Sequence, residues 1–143
     1  MVAAMERGTD TVVGLTVSSF VLLSLDPPLV MFAIQHDANS YPAIVASKCF
    51  GVSVLNTKQS DVARRFAIKG SDKAADTAIG LGVELPVPLV KDSLAHVECA
   101  TSQIIVGGDH AIVVGRVEAI RVHGGEPLVY FGRTFGSFTP FLV

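Results

Sequence analysis

The sequence predicts a mainly β domain, an antiparallel barrel with helices at its periphery. Three observations carry this expectation. Apolar runs of strand length, rich in Val, Leu, Ile and Phe, recur along the chain and are bounded by Gly, Pro, Asn and Asp turns. The helical patterns sit between strands without regular βαβ alternation, which disfavours a parallel sheet. From Leu89 onward the chain reads as strand and turn only.

Taken in order, Val2–Met5 is a short apolar piece ahead of the polar turn Glu6-Arg7-Gly8-Thr9-Asp10. Thr11–Ser19, Phe20–Leu25 and Leu29–Gln35 are expected strands. The last two should be buried and joined at Asp26-Pro27-Pro28, where the prolines donate no backbone hydrogen bond. His36–Asn39 is turn-like. Ser40 is placed to cap a short helix over Tyr41–Lys48, with Pro42 acceptable in its first turn. Phe50–Leu55 is the next strand. Thr57 or Ser60 opens a helix through Ala67, whose Val62, Ala63, Phe66 and Ala67 form an inward stripe. Ser71–Ile79 is expected as one more short helix and Gly80–Pro88 as a loop. Ala95–Ala100, Ser102–Val106, Ala111–Val122 and Leu128–Phe131 complete the strands, with turns at Gly107-Gly108-Asp109 and Gly124-Gly125-Glu126.

The 143 residues are enough for one domain, 1–143, with one core. Half are hydrophobic and only 17% are charged, against roughly 25% in an average soluble protein. A chain so short of charge is expected to hide surface in an oligomer. The most apolar segment, Val12–Ile34, is broken by Ser18, Ser19, Ser24, Asp26 and two prolines. It falls short of the roughly 18–20 apolar residues that span a bilayer, so no membrane partner is expected. The N-terminus has no basic region followed by an apolar stretch and a cleavage site, which points to the cytoplasm. A net charge of −2 and a pI of about 6.0, with no basic block, argue against nucleic acid. Cys49 and Cys99 are far apart and are expected as reduced thiols. The four histidines show no close ligand spacing, so no metal site is expected.

The chemistry centres on Gly14–Gln35, GLTVSSFVLLSLDPPLVMFAIQ. Thr16-Val17-Ser18-Ser19 puts hydroxyls and small neighbours just before the core, where a ligand could approach both backbone N–H and side-chain oxygen. The competing explanation is a strand end whose Ser and Thr groups satisfy their own backbone.

GLTVSSFVLLSLDPPLV resembles the signature of the flavin reductase-like proteins, which fold as an FMN-binding split barrel. Ser47–Ala67 is similar to that family's second block, Gly107–Val117 to its third, and Pro127–Phe135 to its closing strand. The resemblance implies a split barrel, a homodimer, and Val2–Met5 as the end of the first strand. Family members usually carry a helix and the start of that strand upstream, and both are expected to be absent here. It places the flavin ring and its polar edge at Thr16, Val17, Ser18 and Ser19, with backbone help near Gln35. Ribityl and phosphate contacts fall at Asn39, Ser40, Ser47 and Lys48, ahead of Phe50. Hydroxyls, a helix start and one ammonium suit a phosphate dianion.

His110, in Gly108-Asp109-His110, stands at the family's G-D-H position, which implies a place beside the nicotinamide. Hydride transfer needs no acid–base residue for its C–H step, so His110 would hold the pyridine nucleotide and manage a proton. Two positions depart from the pattern. Ser53 stands where the family often has Asn, and Phe135 where its closing G-x-Y has tyrosine. No G-x-G-x-x-G follows a strand, so no Rossmann site is expected. The activity implied is an NADH- or NADPH-dependent reductase of FMN, or FAD, supplying reduced flavin to a partner such as a monooxygenase. The alternatives are a flavin- or haem-binding member without turnover, and a split-barrel enzyme using a deazaflavin or its own organic substrate.

Overall fold

The computed structural model describes residues 1–70 and 72–141. Its frame is one seven-stranded antiparallel sheet built from β1 (Val2–Met5), β2 (Val12–Leu15), β3 (Val21–Leu25), β4 (Pro28–Gln35), β5 (Cys49–Val54), β8 (Ala95–Gly107) and β9 (His110–Val122). The strand order is β2-β1-β5-β8-β9-β4-β3. The two edges, β2 and β3, are consecutive in sequence yet do not pair with each other, so the curled sheet stays open along one seam. This is the antiparallel barrel that the sequence predicts, in the split form that the resemblance implies. Two pairs stand outside it, β6 (Ile79–Leu81) with β7 (Pro88–Val90) and β10 (Val129–Phe131) with β11 (Thr134–Gly136). The helices are α1 (Tyr41–Ala46) and α2 (Ser60–Ala67), the latter entered through a 3-10 turn at Thr57–Gln59. No helix of the described residues is long and apolar enough to cross a membrane.

The main core packs Val2, Phe32, Ile34, Ile44, Phe50, Val52 and Val113 between the curled faces. Phe32 and Phe50 meet edge to face at 5.2 Å, and the Phe50 ring lies so close over Gly115 that any Cβ there would collide with it. A second cluster joins Ala3, Leu55, Val62, Ala63, Phe66 and Val90. Within α2, Val62, Ala63 and Phe66 are buried as expected, while Ala67 is exposed. Asn56 starts this helical segment: its side chain accepts from the Lys58 amide, and Gln59 answers back to the Asn56 N–H.

Five local expectations are corrected. Residues 72–78 form bends and a turn rather than a helix, and Ile79 begins β6; Ser71 lies outside the described residues. The Gly80–Pro88 loop is closed at its base by β6 and β7. Residues 95–107 form one strand in place of two, its course irregular at Glu98/Cys99 and Thr101/Gln103. The apolar run Val21–Leu25 is not buried within the chain: it is a sheet edge, with Leu22 77% and Leu25 90% exposed. The run is a strand, as its composition predicts, but apolar composition does not say what covers a face. Finally, Ser40 precedes α1 without capping it, because its φ of −82° and ψ of −10° are already helical and its side chain makes no cap hydrogen bond.

Glu98 is buried on β8 at 1% exposure. It accepts from the amides of Val83, Glu84 and Leu85 at 2.8–2.9 Å and from Arg121 at 2.9 Å. Burial pushes its carboxyl up, but the three amides and Arg121 outweigh that, and the net shift is downward.

Candidate functional site

The segment Thr16–Phe20 crosses the seam between β2 and β3, and side chains hold it where strand pairing is missing. Thr16 donates its hydroxyl to the Ala63 carbonyl at 2.7 Å and its N–H to Phe66 at 3.2 Å, which ties the segment to α2. The Ser19 hydroxyl accepts from the Ala33 amide at 2.9 Å and donates to the Ala33 carbonyl at 3.3 Å, which ties it to β4. So two of the three hydroxyls in the segment are taken by backbone, though by that of α2 and β4 rather than of their own strand end. Ser18 is exposed.

Beside this segment opens a cavity of about 330 Å³, within the usual size of small-molecule sites. Thr16, Val17, Ser18, Ser19, Gln35, Asn39, Ser40 and His110 all line it, along with Leu15, Ile34 and Phe66. Residues from four separate stretches of sequence therefore converge on one space. Pairing of Gln35 with His110 across β4 and β9 brings the last of them in.

Ser47, Lys48 and Phe50 do not line it. Ser47 follows the last turn of α1 and turns its hydroxyl to the Cys49 carbonyl. Lys48 is exposed and offers its carbonyl to the Thr101 amide. Phe50 is core, at 1% exposure. Two lysines take the cationic place instead. Lys73, half-buried, donates to the carbonyls of Gly14 at 3.1 Å and Phe66 at 3.3 Å, and burial lowers its pKa. Lys69 bridges Asp37 at 2.8 Å, a contact that holds the Asp37 carboxyl below its ordinary value. Both line the cavity. Gly70 lies near Asn39, so Lys69 and Gly70 close against the turn 37–40. Nothing in the sequence marks these lysines: Lys73 falls in a stretch expected to be helical and Lys69 between the two expected helices, and only the fold brings them to the cleft.

The Ser40 hydroxyl is the sharpest feature. Ser40 is 5% exposed, and among the described residues its oxygen is the one buried side-chain polar atom with no hydrogen-bond partner. Native structures seldom leave such an atom unpaired, so it fits a ligand that supplies the partner. His110 stands at the rim, 38% exposed, its Nδ1 2.6 Å from Asp109 Oδ1. That contact, with the imidazole as its main cause, keeps the Asp109 carboxyl low. Hydroxyls, an unpaired buried oxygen, two ammonium groups and an apolar wall together suit a ligand with a flat apolar body and an anionic tail.

The two family departures are structural in this chain. Ser53 accepts from the Val90 amide at 2.9 Å and is fully buried. Phe135 packs on Tyr130 at 5.1 Å and lies under the Arg64 guanidinium.

An open antiparallel barrel with such a cleft along its seam is a split barrel with a cavity of small-molecule size. The chain belongs to the flavin reductase like domain family, whose model matches residues 1–139. It is 42% identical over 111 residues to the reductase subunit of a flavin-dependent monooxygenase of Mycobacterium tuberculosis, covering 78% of this chain and 59% of that protein. The chain thus spans less than two thirds of that relative's length. It is 37% identical over 132 residues to an NADH-dependent FAD reductase of Streptomyces globisporus, covering 89% of this chain and 72% of that one. Among solved structures, the NADH:FAD oxidoreductase of Streptomyces globisporus in complex with NAD and FAD fragments superposes with a TM-score of 0.89 at 34% identity. That match covers 97% of this chain and 83% of the other.

Proposed function

We propose that the chain is an NAD(P)H-dependent flavin reductase that binds FMN, or FAD, and supplies reduced flavin to a partner such as a monooxygenase. The observation that carries this is the convergence of Thr16–Ser19, the unpaired Ser40 hydroxyl and His110 on one cleft. The relatives named above support the same activity. Flavin bound there supplies the hydride-accepting chemistry.

The chain's own residues bind and position. Thr16 and Ser19 fix the crossing segment, so the backbone of Val17 and Ser18 would offer a preset surface to the polar edge of a bound ring. Leu15, Ile34 and Phe66 supply apolar contact. Ser40 donates its hydroxyl to the ligand's ribityl or phosphate oxygens. Lys73 and Lys69 neutralise the phosphate, in place of the Ser47 and Lys48 contacts implied by the resemblance. Asp109 holds His110 through Nδ1, which leaves Nε2 for the nicotinamide or for a proton.

The working state in this proposal is a cytoplasmic homodimer. Edge strand β3 leaves Val21, Leu22, Leu23 and Leu25 exposed, and Ile104, Ile105 and Val106 at the tip of β8 add to the apolar surface. Exposed apolar area of this kind marks an association surface.

The deciding experiment is steady-state oxidation of NADH and of NADPH with added FMN, FAD or riboflavin. Turnover with at least one pair is expected; tight flavin binding with no oxidation of either nucleotide refutes the reductase reading.

A further inference from the structure

His96 and His123 have no part in the cleft. His96 lies near the start of β8 and His123 just past the end of β9, so they sit at the open end of the long hairpin. His110 is at its closed end, roughly 40 Å of strand away. Although 27 residues apart in sequence, the two rings meet edge to face with centroids 4.8 Å apart. His123 Nε2 stands 3.2 Å from His96 Nδ1. A cavity of about 440 Å³ lies against both rings, lined also by Lys91, Asp92, Ser93 and Gly124.

We propose that His96 Nδ1 and His123 Nε2 form a binding site for one divalent late transition-metal ion, Cu2+ or Zn2+, with water completing the coordination. The geometry is preset on the His96 side. Its Nε2 is 2.7 Å from the Val90 carbonyl oxygen. A carbonyl only accepts, so Nε2 carries the proton and Nδ1 keeps its lone pair. A carbonyl–imidazole–metal relay of this kind is the usual support for a ligating histidine.

The spacing also fits. Imidazole nitrogens about 2.0–2.1 Å from one ion stand about 2.9 Å apart at a right angle and about 3.3 Å apart at the tetrahedral angle. The 3.2 Å separation lies between these values. His123 is exposed, so when its Nε2 ligates, the proton moves to Nδ1 and is solvated there.

Lys91 and Arg121 oppose a cation here. Asp92, beside the same cavity, favours one, while Glu98 is already committed to Arg121. No group of three or more His, Cys, Asp and Glu residues among the described ones is placed to hold a metal, so the site has two protein ligands and open positions. A nitrogen pair ranks the ions Cu2+ above Zn2+ and discriminates against Mg2+.

The test is calorimetric titration of the tag-free chain with Cu2+, Zn2+ and Mg2+, together with electron paramagnetic resonance of the Cu2+ form. One Cu2+ per chain, with hyperfine structure from two nitrogens, is expected, with Zn2+ weaker and Mg2+ not bound. His123→Ala, an exposed substitution that should fold, and His96→Ala should each weaken Cu2+ by about tenfold or more, while His36→Ala changes nothing. Absence of saturable Cu2+ binding, or a His123→Ala chain that binds it as tightly as the parent, overturns the proposal.

Discussion

Replacing Ser40 by alanine separates two accounts of one hydroxyl through effects of opposite sign. Were the side chain a helix cap, its loss would destabilise the protein by about 0.5–2 kcal/mol. It makes no cap bond, however, and its oxygen is buried without a partner. An unsatisfied buried polar group costs about 1–3 kcal/mol, so its removal should stabilise the flavin-free chain by about 1 kcal/mol. In the flavin complex the same hydroxyl gains its partner, so the substitution should weaken FMN by about 1–3 kcal/mol, roughly five- to a hundredfold in Kd. Urea unfolding of the flavin-free chain gives the first number, provided the slope with denaturant is unchanged. Fluorescence titration with FMN gives the second. A flavin-free variant that loses stability while binding FMN like the parent would refute the reasoning.

Lys73→Met should weaken FMN by about ten- to a hundredfold, the loss of a charge-assisted phosphate contact, and leave riboflavin within about threefold; the double substitution Ser47→Ala with Lys48→Ala should affect both ligands alike. His110→Ala should bind FMN normally, yet slow its reduction by NAD(P)H by about ten- to a thousandfold in stopped flow. Unchanged reduction would remove His110 from the mechanism. Glu98→Ala strands Arg121 and three amides and should cost about 3–5 kcal/mol, with Glu98→Gln losing less. Because the folded carboxyl titrates below its ordinary 4.5, its stabilisation is complete above that pH. It is lost as the pH falls through the lower folded value, so the parent should lose stability on acidification more steeply than Glu98→Gln. Light scattering should give twice the chain mass for the parent, and Leu22→Lys with Leu25→Lys should return the monomer; a parent monomer that binds flavin tightly would refute the dimer.

Strand positions were legible because alternating or continuous apolar runs end at Gly, Pro and Asn signals, and α2 because Val62, Ala63 and Phe66 share a face. The 72–78 stretch misled because Asp, Ala and Thr spaced as in a helix have no apolar stripe to bury there, so local propensity found no packing to support it. The exposure of Val21–Leu25 was not legible, since burial of an edge strand depends on what lies beside it rather than on its own residues. At the cleft, the resemblance pointed to the Thr16–Ser19 turn and His110, which line it, and to Ser47 and Lys48, which do not. It gave no sign of Lys69 and Lys73, which line the cleft only because the chain returns past α2. The pairing of His96 with His123 is likewise a product of hairpin register, invisible to any spacing rule.

The unpaired seam between β2 and β3 bears on how a bound molecule leaves. A closed barrel traps its contents, and release requires strands to separate. Here the two walls of the cleft belong to opposite ends of the strand order and are joined by the Thr16 and Ser19 hydroxyl contacts rather than by a ladder. No main-sheet pairing has to break for an occupant to exit, so in the proposed complex residence time would be set by the ligand's contacts with Ser40, Lys69 and Lys73. Such an architecture treats its ligand as traffic: it can be tuned from a retained prosthetic group to a diffusing product by surface substitutions along one cleft, with the core left untouched.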